Sequence, residues 1–174
     1  MTKSLVISSI ILLCAAIIES SILSNISFFL VVPDLVLICS IYFALVNGKV
    51  AGETTGFISG LILDFITGIP FGFNCLYRTI IGYLYGLLHE KIIISSLVIP
   101  IFCVGVGTLI KAVLIHLIAL LFPNVNIYVT GFISYEFLFE FVENIVIAPF
   151  IFRFLKFFNK AISIRNPEDN IENV

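Results

Sequence analysis

Residues 33–86 read PDLVLICSIYFALVNGKVAGETTGFISGLILDFITGIPFGFNCLYRTIIGYLYG. Through this stretch small residues return at every fourth position: Gly48, Gly52, Gly56, Gly60, Asp64 and Gly68. Positions four apart stack on one face of a helix, so the segment 50–70 carries a ridge almost without side chains. Glycine lowers helix propensity, and in an apolar helix such a ridge serves the close approach of a second helix. Gly82 and Gly86 give the next segment a shorter version. Asn47-Gly48-Lys49 marks a tight turn, and Gly68, Pro70 and Gly72 mark another. The spacing does not say whether the ridge meets this chain or another protein.

The rest of the chain is as apolar as this stretch. Hydrophobic residues make up 60% of the 174 and charged residues 11%, against about 45–50% and about 25% in soluble domains. The mean hydropathy is +1.20. These values exclude an ordinary soluble enzyme and predict an all-α, polytopic membrane helix bundle. Six apolar segments mark the spans, at 4–24, 33–47, 50–70, 73–89, 93–121 and 130–152, in a single domain covering 1–164. A span needs about 20 residues, and helices satisfy their own backbone in lipid. Lys3 before an apolar run resembles a signal peptide. The run is long for one and lacks a clear small-x-small site, so span 1 is expected to stay attached.

The charges give an orientation. Eight bases balance eight acids up to residue 164, and the tail 165–174 holds one base and three acids, which accounts for the net charge of −2. With the N-terminus in the cytoplasm, Lys3, Lys49, Lys91, Arg153, Lys156, Lys160 and Arg165 all fall inside. The outer loops 25–32 and 122–129 then hold no base, which is the positive-inside pattern with both termini cytoplasmic. The stretch IFRFLKFFNKAIS suits a helix end at the lipid headgroups or a plain stop-transfer flank. The polar tail reads as disordered. No clustered basic surface exists for nucleic acid.

Ionisable groups within spans normally face protein or water. Glu19, Asp34, Asp64 and Arg78 all fall near the outer side. Asp64 and Arg78 flank the reversal at 68–72, where a salt bridge between them would tie it, unless both reach the headgroups. Lys111 and Glu140 lie deeper, each about 15 Å from the outer end of its span. Equal depth predicts a Lys111–Glu140 contact, and exchanging the two charges is then expected to restore folding. Glu136, Glu140 and Glu143 share one face. An ion or substrate path through these groups is the functional alternative, with His116 as a relay or as an ordinary helix contact. Cys14, Cys39, Cys75 and Cys103 lack CxxC spacing and read as small buried hydrophobes. No HExxH, GxSxG or P-loop occurs, so no catalytic residue, cofactor or metal ligand is expected.

Pro33-Asp34-Leu35 opens span 2, and Gly48 follows in the turn. Gly52, Gly56-Phe57, Gly60-Leu61, Asp64, Gly68 and Gly72 come next, with Leu76 and Gly82 after them. This composite resembles the core of the bacterial rod shape-determining protein MreD family over residues 33–86. The resemblance implies a non-catalytic inner-membrane scaffold of the cell-elongation machinery. Its implied partners are an MreC-like membrane protein, actin-like MreB filaments, the RodA and transpeptidase pair, and membrane lipids. The family fold also resembles the substrate-binding membrane subunits of energy-coupling-factor transporters. As a second reading, then, Glu19, Asp34, Asp64, Asn74 and Arg78 would line a pocket opening outward. No inverted repeat is visible in glycine or charge placement.

Overall fold

A computed structural model describes residues 2–22, 31–92, 98–123, 131 and 134–163. Its elements are α1 (Thr2–Ile17, continued by a π-turn at Ile18–Ile22), α2 (Leu35–Thr67), α3 (Phe73–Gly86), α4 (Val98–Leu121), α5 (Tyr135–Phe157) and α6 (Asn159–Ile162). No strand occurs among the described residues, so the fold is an all-α bundle.

Helix α2 is two helical limbs broken at Gly48, whose φ of 83° and ψ of −171° lie outside the helical region. Only glycine takes that conformation freely. The limbs 35–47 and 49–67 fold back on each other there. A Cβ added to Gly52 would lie 2.9 Å from Ala44 Cβ, a pair about 12 Å apart along a straight helix. His89 closes the turn, its Nδ1 donating to Leu45 O at 2.8 Å. The first limb is apolar on every side, and Val36 to Leu45 are all buried. It is the centre of the bundle, as expected of a helix without a polar face.

Three helical stretches among the described residues are long and apolar enough to cross a membrane: Lys3–Ser21, Leu35–Thr67 and Val98–Leu121. This corrects the expected six by that measure. Spans 2 and 3 are the two limbs of α2, of which 35–47 is only about 20 Å long. The fourth expected span, 73–89, has a helix of 14 residues, and α5 carries Glu136, Glu140, Glu143, Arg153 and Lys156 along its 23 residues. Pro33 lies just outside the helix that it opens. It precedes Asp34, the N-cap of α2. The expected tail 165–174 and most of both outer loops fall outside the described residues.

Helix ends gather into two groups. Asp34 N bonds Asn144 Oδ1, while eight residues along each helix Tyr42 packs edge-on against Phe152 with ring centroids 5.2 Å apart. The first limb of α2 and α5 therefore run parallel. Ser4 Oγ donates to Ile162 O, bringing both ends of the described chain together. The exposed bases Lys3, Lys49, Lys91, Arg153, Lys156 and Lys160 lie toward that end. Glu19, Asp34, Asp64 and Asn74 belong to the other.

Candidate functional site

The glycine ridge faces α3 of the same chain. A Cβ on Gly56 would stand 2.9 Å from Arg78 C, one on Gly82 2.6 Å from Gly52 C, and one on Gly86 2.6 Å from Lys49 Cα. A Cβ on Gly60 would meet Cys75 and Asn74 backbone at similar range. Real Cβ atoms do not come so near backbone, so these two helices touch main chain to main chain. Two members of the ridge do something else. Gly48 makes the reversal, and Gly68 has nothing within 4 Å of its Cβ position. Gly68 instead ends α2 in the left-handed region at φ 65°, its N–H donating to Asp64 O. Its place in the ridge as a packing residue is corrected accordingly.

At the far end of this contact the charges converge. Asp34 caps α2, its Oδ1 accepting from Leu37 N at 2.7 Å. Both of its oxygens lie 2.9 Å from Arg78 Nη2, and Oδ2 also accepts from Lys111 Nζ at 2.6 Å. Lys111 Nζ reaches Glu140 Oε1 at 2.6 Å as well, the contact that equal depth pointed to. Asn144 then ties the backbone, taking Asp34 N–H on Oδ1 and donating from Nδ2 to Thr108 Oγ1 at 3.2 Å. Glu19, in the π-turn, accepts Val36 N–H at 3.2 Å. One carboxylate thus joins α2, α3 and α4, and through Lys111 and Asn144 also α5.

The expected Asp64–Arg78 salt bridge is absent. Asp64 accepts instead from Gly72 N (2.8 Å), Asn74 N (2.9 Å) and Asn74 Nδ2 (2.9 Å), and Tyr77 Oη donates to Asn74 Oδ1 at 2.7 Å. Asn74 is one helical turn nearer the reversal than Arg78 and so meets Asp64 first. Arg78 sits a turn further along α3 and finds Asp34. Neither Asp64 nor Arg78 reaches the headgroups, since both are 2% exposed.

Of the remaining expected residues, Glu136 is exposed and Glu143 Oε2 is buried without a hydrogen-bond partner. His116 Nδ1 donates to Ala112 O of its own helix. Cys39, Cys75 and Cys103 are buried, but Cys14 is exposed, which corrects its reading as a buried hydrophobe. Its position on the outer stripe of α1 with Val6, Ile10 and Leu13 explains this. Residue types alone missed Asn144 and Thr108. Asn144 follows Glu140 by four and Thr108 precedes Lys111 by three, so extending those two faces finds both.

Asp34, Arg78, Lys111 and Glu140 pair with one another, Arg78 Nε and Nη1 are buried without a hydrogen-bond partner, and no group of three His, Cys, Asp or Glu among the described residues is placed to hold a metal. Such a bundle belongs to the membrane-type all-α proteins. More narrowly, the chain belongs to the MreD family: the family model for rod shape-determining protein MreD matches residues 1–158. Proteins of this family are non-catalytic, and membership carries a role in cell-shape maintenance. Neither a curated protein nor a solved structure matches the chain.

Proposed function

We propose that the protein is a multi-pass scaffold of the bacterial cell-elongation complex in the cytoplasmic membrane. In this reading it links actin-like MreB filaments to peptidoglycan synthesis by RodA and its transpeptidase, in association with an MreC-like protein. Six segments alternate through the bilayer, both termini are cytoplasmic, and residues 1–164 form one membrane domain. The meeting of Ser4 with Ile162 supports an even number of crossings. The exposed bases toward that end support its cytoplasmic side.

The observation that carries the scaffold reading is the engagement of Asp34 and Asp64 within the chain. A transporter subunit would hold Glu19, Asp34, Asp64, Asn74 and Arg78 open to a ligand. Here Asp34 serves Arg78, Lys111 and a helix cap, while Asp64 serves three N–H groups of the 68–74 turn. What remains for partners is the outside of the helices. Depletion of the protein in its own cells, followed by microscopy, tests this. Rods are expected to swell to spheres within a few generations, and unchanged rods with lost uptake of a vitamin would reject the proposal.

A further inference from the structure

Glu143 stands apart from the other acids of this layer. Its Oε2 is buried without a donor, and its side chain makes no bond or ion pair among the described residues. The two cations of the layer are committed elsewhere, Arg78 to Asp34 and Lys111 to Asp34 and Glu140. The nearest base along α5, Arg153, is ten residues away, about 15 Å. Glu143 lies about 12 Å below Tyr135, the first residue of α5, beyond the reach of headgroup donors. An ionisable group within a span takes a partner, and the described residues offer none.

The surface around Glu143 is shaped for a helix. Phe139 (45% exposed), Val142 (55%), Val146 (56%) and Phe150 (71%) form an outward stripe at three- and four-residue spacing. That is the spacing with which one helix face meets another. An apolar stripe alone would suit lipid. A stripe with an unmet carboxyl beside it calls for a cation or donor held at the same depth, which acyl chains do not supply.

We infer that this face of α5 docks a transmembrane helix of another protein, one bearing a lysine or arginine level with Glu143. The inference deepens the scaffold reading and rests on its membrane-embedded premise. The complementarity is one of charge: four acids (Glu19, Asp34, Glu140, Glu143) share the layer with two bases (Arg78, Lys111), and of the two acids in excess Glu19 accepts Val36 N–H while Glu143 is left for the partner's cation.

The test places a photo-crosslinking residue, p-benzoylphenylalanine, at Val146 in the full chain in its own cells. A control probe goes at Phe102, 69% exposed on α4. The Val146 probe is expected to capture one membrane helix carrying Lys or Arg at that level, and the Phe102 probe only lipid. E143L should cut the captured product about tenfold, with the melting temperature of the isolated protein unchanged because Glu143 bonds none of the described residues. E143K combined with Glu in place of the partner's cation should restore capture. Capture of lipid alone at Val146, equal capture at Phe102, or capture indifferent to E143L would each overturn the inference. So would a fall in melting temperature with E143L, which would make Glu143 a residue of the internal fold. None of these results touches the cell-shape reading, which fails only if depletion leaves rods intact.

Discussion

The two limbs of α2 are joined at one glycine and are packed by opposite means. Limb 35–47 is bulky and is surrounded by protein along Val36 to Leu45. Limb 49–67 buries a narrow face made mostly of small residues, Ala51, Gly52, Thr55, Gly56, Ser59 and Gly60, with Leu63 and Asp64 beyond them, and exposes Val50, Phe57 and Phe65. The first is held by interlocking side chains, the second by backbone laid against backbone. In lipid the hydrophobic effect does not drive helices together, so close fit and polar bonds must. Each limb uses one of these forms of fit, and the charge layer at their outer end adds the other.

Breaking the second form of fit should have the largest effect. G52L forces a side chain into Ala44 and the Gly82 backbone, and backbone has no rotamer into which it can retreat. Loss of the folded protein is expected, read as disappearance of the monodisperse peak in detergent. G68A sharpens the comparison, because its Cβ meets nothing and its cost is confined to the left-handed φ. If G52L is tolerated as well as G68A, the ridge is not a contact.

How much of this was legible follows from what is local and what is not. Repeats of four within one helix are local, so the ridge and the turn at Gly48 could be read directly. Depth is nearly so, since counting residues from a span end placed Lys111 beside Glu140. Partner choice among charges at one depth depends on how the limbs fold back. Arg78 had Asp64 nearer in sequence, 14 residues away against 44, and bonds Asp34. Only the reversal at Gly48, with α3 laid on the ridge, brings Asp34 to it. The sharing of Asp34 by two cations was beyond sequence reasoning for the same reason.

That sharing changes the outcome of the charge exchange. If Lys111 served Glu140 alone, K111E with E140K would recover what either single change loses. Lys111 also bonds Asp34 at 2.6 Å, so K111E sets a second carboxylate against Asp34 whatever stands at 140. Breaking a buried pair costs about 3–5 kcal/mol. Each single reversal and the double variant are expected to fall in that range by denaturant or thermal unfolding in detergent. Full recovery in the double variant would mean that Asp34 belongs to Arg78 alone.

The smallest effect separates the limbs most cleanly. Phe43 and Phe57 have the same side chain, Phe43 within ICSIYFALV and Phe57 within ETTGFISGL. Phe43 is 0% exposed in the first limb, and Phe57 is 50% exposed on the outer side of the second. F43A leaves a cavity that a packed interior refills only in part, at a cost of about 3–5 kcal/mol. F57A exchanges one lipid-facing surface for another, and its cost should stay within about 0.5 kcal/mol. The same unfolding measurement reads both. A large loss for F57A would mean that limb 49–67 is held by its side chains after all, and that a partner or an unseen contact covers the face opposite the glycines.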